Sequence, residues 1–319
     1  MKFILLSDLH LSWENSMARM DDLQKVQFEK LRFVLDWSKE NGDVPILQAG
    51  DFFDSPRGYY ILSKVVSVLN GYETFDKDLI HCVYGQHDTY LYSDATRNST
   101  NLGILNEVDL VHVLGVSFFG ENNNVIVMGK SYGQEDNKSE WSYIESPDVK
   151  VETKILVIHA PITNAPLWKG HDITHADKFL EEHKEFDLIL CGDIHKSFII
   201  ERKGRFIVNC GPMLRREATE YNFVHAPHFI LYDTEEKSVQ QIVIPHEPAE
   251  KVLSRDHIEQ KEQTEVMLED FIKMVKETTP GLEAKNSVSF TDSLWAFIKE
   301  NEIEQEVVDI LSKVMKKEK

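Results

Sequence analysis

No apolar stretch in this 319-residue chain approaches the length of a membrane span. The run "FILL" near the start is far too short for the core of a signal peptide, so no secretory leader is expected. Cysteine is scarce. Cys82, Cys191 and Cys210 are odd in number and contain no Cys-x-x-Cys pair. They read as reduced thiols in strands or at strand ends, which fits a cytoplasmic protein. Positive charge is also in deficit, with 35 Lys and Arg against 54 Asp and Glu and a net charge of −19. Such a field repels polyanions, so a nucleic-acid substrate would have to be drawn in by local Arg or Lys groups and by cations held on the carboxylates. There is no internal repeat and no low-complexity tract. "MGKS" at 128–131 resembles the end of a phosphate loop, but Asn124 stands where that motif needs its first glycine.

What is present is an alternation of short apolar runs and helical patterns. "KFILLS", "VPILQAG" and "DLIHCVYG" are strand candidates. A helical stripe through Leu23, Val26, Leu31, Val34 and Leu35 lies between the first two, and residues 58–71 form the next helix. Strands separated by helices predict βαβ units with a buried sheet. The following stretch is richer in strands: "VHVLGVSFFG", "NVIVMG", "KILVIHAP", "FDLILCGD", "KSFIIERKGRFIVNCG" and "PHFILYD". Lys203-Gly204 between two alternating runs marks a hairpin. The fold class expected is α/β (α+β): a two-layer β-sheet core flanked by helices. It occupies residues 1–248, and "PHEPAE" marks the boundary. Residues 249–319 are expected to be a helical segment, with amphipathic stripes around Phe271, Trp295 and Val307.

The strand candidates share an ending. Asp8 and His10 follow the first, and Asp51 and Asp54 the second. Gln86, His87 and Asp88 follow the third, His159 ends another, and Asp193 and His195 follow the one after that. Sites in α/β sheets are assembled in the loops beyond the carboxyl ends of strands. Singly, each cluster is ordinary turn chemistry. Jointly, five strand ends supply enough oxygen and imidazole donors for two divalent metals.

The ordered set Asp8-Leu9-His10, "GDFFD" at 50–54, "GQHD" at 85–88, His159 and "GDIH" at 192–195 resembles the signature of the calcineurin-like metallophosphoesterases. The resemblance spans about residues 1–232, and "SDLHL", "GDFFDSPR" and "NCGPMLRRE" are most similar to the SbcD-type DNA-repair exonuclease subunit. The resemblance implies two metals bridged by Asp51, with Asp8, His10 and His195 completing one site. Gln86, His159 and Asp193 would complete the other. It implies that His87 is the general acid for the leaving oxygen, oriented by Asp88, and that the metals acidify water and offset phosphoryl charge. It further implies a DNA substrate and an SbcC-type coiled-coil ATPase partner bound through helices after the catalytic region. Homodimerisation is left open.

Two positions depart from the family pattern, and both fall on the second metal. Gln86 stands for the usual Asn and Asp193 for the usual first His. Both keep an oxygen donor, and the richer oxygen set favours Mn²⁺, with Mg²⁺ as the alternative, over Zn²⁺. Arg215 and Arg216 are candidate contacts to substrate phosphates, against the alternative of a solvated charged loop. Trp168 and Tyr90 have the chemistry to stack on a base, a role few loop aromatics fill. His171 and His175 are set aside as loop residues, and His225 and His228 as structural. A small-molecule phosphoesterase and a metal-poor scaffold remain the competing functions, because fold does not fix substrate.

Overall fold

Both faces of the first strand are covered, which is why its sequence is apolar without alternation. In β1 (Lys2–Leu6), Phe3 and Leu5 enter one apolar cluster while Ile4 and Leu6 enter another. The computed structural model describes residues 1–72, 79–120, 122–134, 150–165 and 173–256. After β1 come α1 (Leu23–Glu40), β2 (Ile46–Gln48), α2 (Tyr59–Leu69), β3 (Ile80–Cys82), α3 (Asn101–Glu107) and β4 (His112–Val113). The four strands pair in parallel in that order. Asp22 caps α1 by accepting the Lys25 N–H, and Leu31, Val34 and Leu35 press its apolar stripe onto the sheet.

The run "VHVLGVSFFG" is two strands rather than one. β4 ends the first sheet, and β5 (Val116–Phe119) starts a second one after the chain crosses over at Leu114 and Gly115. β6 (Val125–Lys130), β7 (Thr153–His159), β8 (Ile162–Thr163), β9 (Thr174–His175), α4 (Ala176–Glu182) and β10 (Leu188–Gly192) follow. Then come β11 (Phe198–Arg202), β12 (Arg205–Asn209), α5 (Glu220–Val224), β13 (His228–Asp233), β14 (Ser238–Val243) and α6 (Ala249–Val252). Among the described residues the first sheet has six strands in the order β14-β13-β1-β2-β3-β4, and the second has six in the order β11-β12-β10-β7-β6-β5. β6, β7, β10 and β12 are mutually parallel. The β11–β12 hairpin turns on Lys203 (φ 55°) and Gly204 (φ 73°), the pair of left-handed residues that a two-residue hairpin loop requires.

Period-two alternation sorts the side chains into layers. Phe3, Leu5 and Leu47 from the first sheet meet Ile155, Val157, Leu188 and Leu190 from the second. Leu156 and Ile189 point the other way, onto Phe179 and Leu180 of α4. The result is helix, sheet, sheet, helix, the expected two-layer core flanked by helices. One compact unit runs from Met1 to Ser254, past the boundary expected at 248–249, because Val252 and Leu253 are buried and Leu253 bridges to Arg19. The helices expected around Phe271, Trp295 and Val307 lie outside the described residues. No helix among the described residues is long and apolar enough to cross a membrane.

Candidate metal centre

Parallel pairing aligns strand ends, and the loops that leave them bend sharply. Asp8 (φ 46°), His10 (φ 45°), Asp51 (φ 52°) and Asp193 (φ 92°) all adopt positive φ, costing on the order of 1 kcal/mol or more each. This strain falls on four residues the sequence marked as ligands. Two glycines make room for the turns: a Cβ at Gly85 would overlap the Asp51 carboxylate, and one at Gly50 would overlap the His159 ring.

Asp8, His10 and His195 form one group whose ligand atoms lie within 4.8 Å of one another. His10 Nε2 is 2.9 Å from His195 Nε2, and Asp8 Oδ1 is 3.9 Å from His195 Nε2. Asp8 Oδ1 also accepts the Asp193 N–H at 3.0 Å, which ties the β1 loop to the β10 loop. Asp51 sits between this group and the next. Its Oδ2 is 3.6 Å from His10 Nε2 and 3.5 Å from His159 Nε2, while its Oδ1 accepts the His87 N–H at 2.8 Å. In the second group His159 Nε2 lies 2.6 Å from Gln86 Oε1 and 3.8 Å from Asp193 Oδ1. Gln86 Nε2 donates to Asp193 Oδ1 at 2.6 Å. All seven expected ligands are therefore brought to one centre, arranged on either side of Asp51.

The donor set fits divalent cations. Asp8 Oδ2 and Asp51 Oδ2 are buried without a hydrogen-bond partner, and bare carboxylate oxygens inside a protein are costly. Carboxylate, amide and imidazole donors together suit Mn²⁺, Mg²⁺ or Zn²⁺. Burial pushes Asp8 up to about 6, opposed by the histidines around it. Burial acts the same way on Asp51, but the positive charge of His159, whose Nε2 is 3.5 Å away, and of His10 and His87 outweighs it and holds Asp51 down to about 2. For His159, burial opposes the charge, yet Asp51, Asp8 and the Ala49 carbonyl prevail and raise it to about 10. Its two nitrogens both face acceptors, Ala49 O at 2.6 Å and Gln86 Oε1 at 2.6 Å.

His87 stands beside this centre, its ring 4.9 Å from that of His10 and its Nδ1 3.0 Å from Asp54 O. A carbonyl only accepts, so Nδ1 carries the proton and Nε2 is the nitrogen available for chemistry. Asp88 corrects its expected role. It makes no bond to the His87 ring. Fully buried, its carboxylate accepts N–H groups from Phe52 (3.1 Å), Phe53 (2.9 Å) and Gly85 (2.9 Å), pinning the β2 loop to the β3 loop. Burial and the Asp51 charge push Asp88 up to about 7 despite those three donors. The orienting group for His87 is Asp54, a residue noticed in the sequence but given no role there. Its Oδ1 lies 3.4 Å from His10 Nδ1, and its Oδ2 accepts from Arg216 Nη2 at 2.8 Å.

The two adjacent arginines part company. Arg216 lines a cavity of about 760 Å³ together with His10, Asp54, His87 and His195. Arg215, also expected to contact substrate, is buried on the other side, where its Nη2 donates to Glu247 O at 2.5 Å. It borders a separate cavity with Arg19 and Lys30. Lys196, Glu217 and Tyr221 complete the far wall of the main cavity, and sequence reasoning missed them because no metal-ligand spacing marks them. His175 is exposed on β9, while His171 and Trp168 lie outside the described residues.

The calcineurin-like phosphoesterase family model matches residues 1–197. No curated protein matches the chain. Among solved structures, a protein assigned as a 5'-nucleotidase from Staphylococcus aureus superposes with a TM-score of 0.50 at 15% identity, covering 83% of this chain and 58% of that one. An archaeal phosphodiesterase has a TM-score of 0.38 at 15% identity, covering 76% and 99%. Zinc-complexed Vps29 from Entamoeba histolytica has a TM-score of 0.32 at 12% identity, covering 77% and 100%. At 15% identity the likeness to the structure assigned as a 5'-nucleotidase concerns the fold alone. The family match is of another kind, because it spans more than half of the chain and every strand end that builds the centre: the chain belongs to the calcineurin-like phosphoesterase family.

Proposed function

We propose that this protein is a metal-dependent phosphodiesterase that hydrolyses DNA, similar to the SbcD-type exonuclease subunit. The observation that carries the hydrolytic reading is the placement of His87 beside seven converging ligands, with Nδ1 tied to Asp54 O. Asp51, Asp8, His10 and His195 would hold one cation, and Asp51, Gln86, His159 and Asp193 the other. Bound there, the cations would supply an acidified water and offset charge on the phosphoryl oxygens. The oxygen-rich second set favours Mn²⁺.

The remaining chemistry belongs to side chains. In its cationic form His87 donates the Nε2 proton to the leaving oxygen as the P–O bond breaks, and returns to the neutral ring with Nδ1–H still on Asp54 O. Arg216 spends one donor on Asp54 and one on His10 O, leaving the rest of its five N–H groups for a phosphate in the cavity. Lys196 adds a second positive group to that wall. Both offset locally the repulsion of the acidic chain.

DNA as substrate, and a coiled-coil ATPase of SbcC type as partner, are supported by the "SDLHL", "GDFFDSPR" and "NCGPMLRRE" stretches. Incubating the purified protein with Mn²⁺ and linear duplex DNA, single-stranded DNA, a chromogenic phosphodiester and a phosphomonoester tests the substrate. Cleavage of DNA and diester is expected. Turnover of the monoester alone would replace this reading with a small-molecule phosphatase. ATP-stimulated cleavage of duplex DNA in the presence of such an ATPase tests the partner.

A further inference from the structure

Beside His87 lies a second cavity, of about 320 Å³, which the phosphoryl chemistry leaves unused. Gln86 and His87 line it on the side of the metal centre. Its other walls are Arg57, from the loop after β2, and the turn Tyr90–Tyr92 after β3. The Arg57 guanidinium lies over the Tyr90 ring at 4.7 Å, a cation–π contact on the protein surface.

The turn is unusual in two respects. Leu91 (φ 53°) and Tyr92 (φ 55°) are consecutive bulky residues in the left-handed region, costing on the order of 1–2 kcal/mol each. That strain brings no burial in return, since Leu91 is 78% and Tyr92 71% exposed, and Tyr90 beside them is 44% exposed. The shape is nevertheless tied by local contacts. Tyr90 N–H donates to Thr96 Oγ1 at 2.9 Å, Ser93 N–H returns to Tyr90 O at 3.1 Å, and the Tyr92 ring leans on Tyr132, which in turn meets the ring of His159. A strained, hydrogen-bonded and solvent-facing aromatic turn next to a reactive centre points to a ligand rather than to folding.

We propose that this cavity holds an unpaired nucleobase of the substrate strand, stacked on the Tyr90–Tyr92 turn. The proposal rests on the phosphodiesterase reading for the identity of the strand, and it adds how the nucleotide next to the scissile phosphate is held. The occupant follows from the chemistry of the walls. Flat aromatic rings and a guanidinium bind any base through its π-face, and the cation also offsets the charge of the adjoining phosphate. A base inside a duplex is already paired and stacked, so only an end, a flap or a single strand can deliver one here. Preference for unpaired ends, with little regard to sequence, is the consequence.

The test is binding of a short single-stranded oligonucleotide carrying 2-aminopurine, whose fluorescence is quenched on stacking. The full-length protein is titrated without added metal, and Tyr90→Ala, Tyr92→Ala and Tyr90→Phe are compared. Quenching by the parent is expected, with affinity weakened roughly tenfold by Tyr90→Ala, within the range for loss of one base–aromatic stack. Tyr90→Phe should bind like the parent, and an abasic oligonucleotide should bind the parent as weakly as the intact one binds Tyr90→Ala. In Mn²⁺ assays Tyr90→Ala should raise KM for DNA far more than it lowers kcat. Unquenched fluorescence on binding, or equal affinity of parent and Tyr90→Ala, overturns the proposal even if DNA is cleaved. Quenching by a protein that cleaves no diester upholds the pocket and overturns the phosphodiesterase reading.

Discussion

Gln86 donates from Nε2 to Asp193 Oδ1 at 2.6 Å, so the two residues that depart from the family pattern are hydrogen-bonded to each other. They form one arrangement, closed by His159 at 2.6 Å from Gln86 Oε1. Removing either should therefore affect the same metal. Titration calorimetry of the parent with Mn²⁺ is expected to give two sites, and Gln86→Ala to lose or weaken one by about 10- to 100-fold while the Asp8–His10–His195 site persists. A single site in the parent would contradict the assignment.

His87 and Asp51 should separate chemistry from metal binding. His87→Ala is expected to keep its Mn²⁺ while hydrolysis falls by about 10²-fold or more, the usual loss for a general acid. Asp51→Ala removes the carboxylate between the two groups and should lose metal and activity together. Parent-rate cleavage by His87→Ala would remove the residue from the mechanism.

Neighbours in sequence, Arg215 and Arg216 should give opposite results. Arg216→Ala should raise KM for DNA by about tenfold, the value of one charge-assisted hydrogen bond, and any fall in the denaturation midpoint comes from its lost bonds to Asp54 and His10 O. Arg215→Ala should lower the midpoint and leave KM unchanged, because its guanidinium bonds the Glu247 carbonyl away from the cavity. Urea denaturation and steady-state kinetics on both variants decide between these outcomes.

Acid should weaken the fold through His225. Its Nε2 donates to Pro212 O at 3.0 Å, which leaves Nδ1 to accept from Tyr221 O–H at 3.0 Å, so the buried ring is neutral. Burial, reinforced by His228, Lys30 and Arg215, holds it down to about 4, against about 6.5 in an unfolded chain. Between those values the unfolded state binds the proton more readily, so stability rises with pH across the window. The contribution, up to about 3 kcal/mol, is complete above about pH 6.5 and is lost as pH falls toward 4. Denaturation midpoints at neutral and acidic pH should show a smaller drop for His225→Gln than for the parent.

The sequence by itself marked the candidate ligands. Asp8, His10, Asp51, Gln86, His159, Asp193 and His195 are legible because each follows an apolar run, and parallel strands deliver their carboxyl ends to one edge whatever the loops between them do. The layering was legible for a similar reason, since a strand covered on both faces must be apolar throughout, as β1 is. Only the tertiary structure decided which groups serve those ligands. Asp88 pins backbone while Asp54 orients His87, because the β2 and β3 loops pack side by side, and sequence does not fix the register between two loops. Arg215 and Arg216 face opposite ways because the chain after β12 runs between two cavities, and one residue of rotation sends a side chain into one or the other. The split of "VHVLGVSFFG" between two sheets likewise depends on which strands stand at each sheet's edge, a long-range choice that no local apolar pattern encodes.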